Sequence, residues 1–288
     1  MRVEDLSPGW RTDFLRHRVD AEVRELPDCL AVRSPGQENF YWGNCLMLPA
    51  LPNDADLDHW LRRFDEEVAA GRPGVRHVAI GINCEPPPED ALPSWVAAGF
   101  DRIEVHTMML RPGQLRVPRE AQAGPLQLRR MTLPDGIAAH VELQLSDTFG
   151  FEPVGYRVFR LRQMERFAKL QAGGLADWFG LWCDGTLVAD CGLLYDGKLG
   201  RFQNVMTHPD WRRRGLCSTL VHGVCRFGYE ERGLGELLMC ADPDDVAIGL
   251  YESLGFVSFG REWGLQRYPQ EDADARRSVR LGKDAAAA

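Results

Sequence analysis

No segment of this 288-residue chain approaches the roughly 20 consecutive apolar residues that a membrane-spanning helix requires. The opening "MRVEDLSPGWRTDF" also lacks the apolar stretch of a secretory signal, so a soluble, cytoplasmic protein is expected. There is no CxxC pair. The eight cysteines (Cys29, Cys45, Cys84, Cys183, Cys191, Cys217, Cys225 and Cys240) are scattered, several inside apolar runs, and read as small core residues. No His/Cys cluster has zinc spacing, so neither a metal site nor a disulfide framework is expected, and the compartment should be reducing. Excess positive charge is absent too. A net charge of -8 and a sequence pI near 5.4 exclude long-range attraction to nucleic acid or to an anionic membrane. Two phosphate motifs are missing: there is no GxxxxGK[ST] loop, and "GLGELL" (233–238) lacks the third glycine of a dinucleotide loop.

What is present is a globular composition, 44% hydrophobic, with ample material for a core and a length that suggests two domains. The polar stretch "RPGQLRVPREAQAGP" (111–125) separates two strand-like runs and has the composition of a linker. It divides the chain into a first domain (1–112), a linker (113–124), a second domain (125–268) and a tail (269–288) with little to bury. In the second domain the pattern predicts strands at 126–131, 177–183, 186–195 and 199–207, with "DG" at 184–185 and 196–197 marking hairpin turns. Helices are predicted at 135–147, 156–171, 215–231 and 244–253, a strand at "GELLMCA" and a last strand from Phe256 to Tyr268. Helices and strands mixed in this way imply an α/β fold.

The two halves share a register. Shifted by 156 positions, "CEPPPEDALPSWVAAGF" (84–100) lies over "CADPDDVAIGLYESLGF" (240–256) without a gap. Cys84 meets Cys240, Pro87 meets Pro243, Ala91 meets Ala247, and Gly99-Phe100 meets Gly255-Phe256, while Trp95 stands opposite Tyr251.

A second stretch carries chemistry. In "THPDWRRRGLCSTL" (207–220) three arginines precede a glycine and a helical pattern, after an apolar strand. A helix start leaves backbone N–H groups unpaired and is partially positive, and a glycine there admits an anion close to the main chain. Taken alone, the run also fits a solvated basic loop. The matching part of the first half, "LPNDADLDHW", carries Asp54, Asp56 and Asp58, which repel phosphate.

With both features in place, the second half resembles the GNAT superfamily of acyl-CoA-dependent N-acyltransferases. The family's Arg/Gln-x-x-Gly-x-Gly/Ala signature is matched by Arg212-Arg213-Arg214-Gly215-Leu216-Cys217. Its later pattern, Asn-x-x-Ala-x-x-x-Tyr-x-x-x-Gly-Phe, is matched from Asp244 through Ala247 and Tyr251 to Gly255-Phe256. Cys217 departs from the small Gly or Ala, and Asp244 from the customary Asn. The resemblance covers about 125–268 and makes the first half a degenerate copy without a cofactor loop. It implies two domains of α/β (α+β) class, each a mixed, mostly antiparallel twisted sheet flanked by helices.

The resemblance further implies acetyl-CoA as acyl donor and a primary amine of a small molecule or peptide as acceptor, with no nucleic acid or membrane partner. Main-chain N–H groups from Arg213 to Ser218, Leu216 and Cys217 among them, would hold the pyrophosphate, with Arg212, Arg213 and Arg214 neutralising its charge. Val205 and Thr207 would pair with the pantetheine arm on a strand splayed from its neighbour, and Asp244 would contact that arm. Tyr251, with an unperturbed pKa near 10, is the candidate acid for the leaving thiolate; its other reading is a core tyrosine packed beside Phe256. Where many relatives carry a base Glu, this chain has Gln203 and Asn204, so either water relays the proton to a more distant carboxylate or the amine arrives neutral. His208 and His222 read as structural. Phe149, Phe151 and Tyr156, in "SDTFGFEPVGYRVF" (146–159), suit an apolar or aromatic acceptor or else close the core. An acyl-CoA-sensing module without turnover is the competing function.

Overall fold

The computed structural model describes residues 1–148, 150–242 and 247–269. Its strands are β1 (Glu22–Glu25), β2 (Leu30–Arg33), β3 (Cys45–Leu48), β4 (Val78–Ile82), β5 (Asp101–Leu110), β6 (Leu126–Met131), β7 (Ala176–Cys183), β8 (Thr186–Asp196), β9 (Leu199–Thr207), β10 (Glu236–Ala241) and β11 (Val257–Arg267). The helices are α1 (Pro8–Asp13), α2 (Leu57–Phe64), α3 (Pro93–Ala97), α4 (Ile137–Leu145), α5 (Pro153–Ala172), α6 (Leu216–Glu230) and α7 (Ala247–Ser253). The predicted hairpin turn at 184–185 is present: Asp184 and Gly185 both adopt the positive φ that a tight two-residue turn needs. Helix α5 begins as its composition dictates, with Pro153 in the first turn and the Glu152 carboxylate capping the amides of Val154 and Gly155. The predicted start of the last helix near Asp244, and most of the tail, lie outside the described residues.

All strands form a single sheet in the order β1-β2-β3-β4-β11-β5-β10-β9-β8-β7-β6. The last strand of each half is exchanged. Strand β5 pairs with β10 of the second half, and β11 pairs with β4 of the first. The two exchanged strands run antiparallel beside one another, from Val257 opposite Met109 to Gln266 opposite Asp101, with one bulge near Ser258. Their first residues, Asp101 and Val257, are separated by the same offset as the sequence repeat. The flanking pairs β3/β4 and β9/β10 are both parallel, so the two halves repeat one topology about the β5/β11 pair.

Burial follows this exchange. Trp263 and Leu265 of β11 pack in the first half's core with Trp95 and Phe100, while Met108 and Leu110 of β5 pack with Tyr251, Leu254 and Phe256. Withdrawing an apolar side chain of this size from water stabilises a fold by roughly 1.5–3 kcal/mol, so each core is completed by the other half. On α6, Leu216, Leu220, Val221 and Val224 form one apolar stripe against Cys191, Leu193 and Phe202. Residues of α4 and α5 cover other side chains of the same strands, Leu194 and Met206.

The segment between β5 and β6 is tied down. Arg116 donates its amide to the Leu254 carbonyl and Gln122 to that of Arg214, each at 2.9 Å, while Leu115, Ala121 and Ala123 pack on the second half's core. None of the eight cysteines, all within the described residues, is joined in a disulfide. No described helix is long and apolar enough to cross a membrane.

Candidate active site

Strands β9 and β10 are paired only at their starts, where Leu199–Arg201 lie beside Glu236–Leu238. Beyond those rows no ladder joins them, and a cleft opens between Phe202–Thr207 and Met239–Ala241. The facing edges of the two strands are therefore not joined to each other along this stretch. On β9, Asn204 has φ +49°, and the register against β8 shifts between Asp190 and Gly192. Val205 and Thr207 follow this irregularity half-buried, Val205 against the core that α6 covers.

Gly215 caps α6 in the left-handed conformation, φ +79° and ψ 3°. Arg213, two residues earlier, has φ +60°. The first intrahelical bond runs from Thr219 N to Gly215 O at 3.0 Å, which leaves the amides of Leu216 and Ser218 ahead of any helical acceptor. The arginines separate in role. Arg212 turns back, donating to the Thr207 carbonyl at 3.2 Å and pairing with Asp147 at 2.7 Å. Arg214 lies over the Trp211 ring at 5.0 Å, and it and Arg213 are exposed. All three are exposed, but the pairing with Asp147 sets Arg212 apart from the other two.

Tyr251, on α7, is 5% exposed and packs beside Phe256 with ring centroids 6.0 Å apart. Asp244 and Phe149 lie outside the described residues. His208 is spent on structure: its Nδ1 accepts the Asp210 amide at 3.3 Å. His222 is half-buried on α6, and burial lowers its pKa, with Arg226 adding to the effect.

The matching loop of the first half is tied to a neighbouring helix. The Asp54 carboxylate, ahead of α2, accepts from the Ser94 amide at 2.9 Å and from its hydroxyl at 2.6 Å. A protein carboxylate therefore occupies one amide donor, that of Ser94, at the start of α3, and the loop before α2 is negatively charged.

A cavity of about 400 Å³ is lined by both halves. Asn39 to Trp42 and His77 come from the first, and Phe151, Glu152, Tyr156 and Phe159 from the second. A chain of hydrogen bonds links this cavity to the cleft. Arg160 donates to the Tyr156 hydroxyl at 2.6 Å and to Gln163 Oε1 at 2.7 Å, and Gln163 Oε1 also accepts from Asn204 Nδ2 at 2.7 Å.

Two buried groups escaped the sequence reading. His140 Nδ1 contacts the Asp190 carboxylate, both residues being fully buried, and Trp178 Nε1 donates to the same oxygen at 3.3 Å. Asp190 lies opposite Met206 on the cleft strand, and His140 Nε2 has no hydrogen-bond partner among the described residues. Glu262, 4% exposed on β11, accepts from Ser7 Oγ at 2.9 Å and from Thr107. No local motif marks either group, because the partners are far apart in the chain.

Residues 142–256 match the sequence model of the Acetyltransferase (GNAT) family. No curated protein sequence matches the chain significantly. Among solved structures, a functionally unknown conserved protein from Staphylococcus epidermidis superposes with a TM-score of 0.68 at 13% identity, over 88% of this chain and 96% of its own. A GCN5-related N-acetyltransferase from Kribbella flavida gives 0.61 at 14% identity, over 91% and 95%. A tandem GNAT protein from the clavulanic acid biosynthesis pathway gives 0.53 at 14% identity, over 84% and 79%. At such identities the likeness establishes the fold. Residues 142–256, with their unpaired strand cleft and glycine-capped helix, belong to the GNAT family of acetyltransferases, in a chain built as a tandem of GNAT-like halves.

Proposed function

We propose that the protein transfers an acetyl group from acetyl-CoA to a primary amine of a small molecule or peptide, by direct attack within a ternary complex. One observation carries this reading: the left-handed Gly215 at the head of α6 stands beside the strands whose ladder is open. The helix start supplies an anion nest, and the cleft supplies free strand edges for amides.

In this reading the amides from Arg213 to Ser218, with Leu216 and Cys217, hold the pyrophosphate, and Gly215 keeps that surface bare. Arg213 and Arg214 supply neutralising charge. Arg212 acts by fixing the loop to Asp147. The backbone of Val205 and Thr207 pairs with the pantetheine amides, and Asp244 contacts the arm. The neutral amine attacks the thioester carbonyl, the C–S bond breaks, and Tyr251 protonates the departing sulfur. The amine's surplus proton leaves through water to a more distant carboxylate, since the amides of Gln203 and Asn204 cannot accept it.

The competing reading, an acyl-CoA sensor, draws on those two amides and on Cys217. Following thiol release from acetyl-CoA across a panel of primary amines separates the two. Steady turnover with any amine supports the transferase; tight CoA binding with no turnover supports the sensor.

A further inference from the structure

The cavity between the halves has a composition that narrows the acceptor. Six aromatic side chains line it, Phe40, Tyr41 and Trp42 from the first half and Phe151, Tyr156 and Phe159 from the second. Phe40 and Phe159 face one another across the boundary, centroids 6.3 Å apart and tilted by 58°. Phe151 and Tyr156 stack at 5.7 Å, 3° from parallel. Offset and edge contacts of this kind are what a planar ring finds favourable. A volume of about 400 Å³ suits a small molecule.

Charge argues in the same direction. Glu152 is the one carboxylate among the described lining residues, and its oxygens already accept from the Val154 and Gly155 amides at 2.8 and 2.7 Å. Those bonds, Gly155's first, hold its carboxyl below the usual range. A linear diamine would bring two ammonium groups to a cavity lined by this one engaged carboxylate and by Arg76, whereas an arylalkylamine brings one ammonium and a ring that needs no counter-charge. The polar end of the cavity leads through Tyr156, Arg160 and Gln163 to Asn204 on the cleft strand, so a ring held between the halves leaves its amine on the side where the cleft lies.

We propose that the acceptor is an arylalkylamine, its ring bound in the cavity against the Phe40–Phe159 pair, one ring from each half, so that the half without an anion loop serves as the specificity wall. This rests on the acyl-transfer reading, but ring binding is measurable without it.

The test uses the full-length protein. Calorimetric titration with 2-phenylethylamine in the absence of CoA reads the cavity alone, and kcat/KM for 2-phenylethylamine against 1,4-diaminobutane with acetyl-CoA reads selectivity. The wild type should bind the aryl amine and prefer it by about 10-fold or more, the order expected for burying one ring. Phe40→Ala and Phe159→Ala should each lose about 10-fold in aryl-amine affinity with CoA affinity unchanged. Phe40→Leu keeps most of the packing around Arg16 and Arg166 and should fall between. Equal preference for the diamine, or unchanged ring affinity in the Phe159→Ala variant, overturns the proposal. Ring binding without CoA binding sinks the transferase reading alone; CoA binding without ring binding sinks this one alone.

Discussion

The Cα of Ala121 lies 3.2 Å from the point where a side chain on Gly215 would begin, and the amide of its neighbour Gln122 holds the Arg214 carbonyl at 2.9 Å. One flank of the helix start is therefore covered by the segment that joins the halves. Any side chain placed at Gly215 meets that segment as well as a bound anion.

Gly215→Val should therefore do two things. A β-branched residue at φ +79° is strained, at a cost of about 1–2 kcal/mol. It also pushes Ala121 away and distorts the amides ahead of Thr219. Thermal unfolding should show the loss of stability, and calorimetry should show CoA affinity falling at least about 10-fold, the equivalent of one lost charge-assisted contact. Unchanged CoA affinity in a folded variant would remove the helix start as the anion site.

The first half should bind no CoA of its own. Its loop before α2 carries Asp54, whose carboxylate is bound to Ser94, where the second half has exposed arginines. Calorimetric titration of the full chain should saturate at about one CoA per chain, as one nest allows. Two equivalent sites would mean that the Asp54–Ser94 contact yields to the ligand.

Much of this was legible from local pattern. The strand 199–207 and the hairpin turn at 184–185 were readable because alternation and "DG" act over a few residues, and the structure has both. The repeat offset anticipated that β5 and β11 are equivalent. It could not anticipate that they change places, because a strand's pattern records which face is buried and not which strand lies beside it. For the same reason Phe40 and Trp42 gave no sign of sharing a cavity with Phe159, and His140 none of its pairing with Asp190. The segment around Ala121 read as a polar spacer, since bonds made by its backbone leave no mark on composition.

Acidification should weaken the fold partly through His17. This residue is 2% exposed, between the Phe14 and Phe40 rings, and burial first, then Arg16, pushes its pKa down to about 3. The imidazole is neutral when folded but gains a proton below pH 6.5 when unfolded. Its contribution is therefore fully present above pH 6.5 and is lost as pH falls toward 3, by at most about 1.4 kcal/mol per pH unit. Denaturant titrations at pH 7 and pH 5 should show wild type losing about 2 kcal/mol more than His17→Gln. Equal losses would mean that His17 is protonated in the native state.

Tyr251 separates transferase from sensor. It is almost fully buried against Phe256, so Tyr251→Phe keeps the ring and its packing and removes only the hydroxyl. The variant should still fold, and CoA affinity should change little. If the phenol protonates the leaving thiolate, turnover with a working amine should fall by about 10²–10⁴-fold, the usual contribution of general acid catalysis. The loss should appear in kcat, because the hydroxyl acts when the C–S bond breaks and not when either substrate binds. Raising the acidity of the leaving group offers a second measure: with an acyl donor whose thiol has a low pKa, the thiolate departs without help, and the gap between Tyr251→Phe and wild type should close. A variant that turns over normally with acetyl-CoA would return Tyr251 to the core as a packing residue and leave the departing sulfur to be protonated by water.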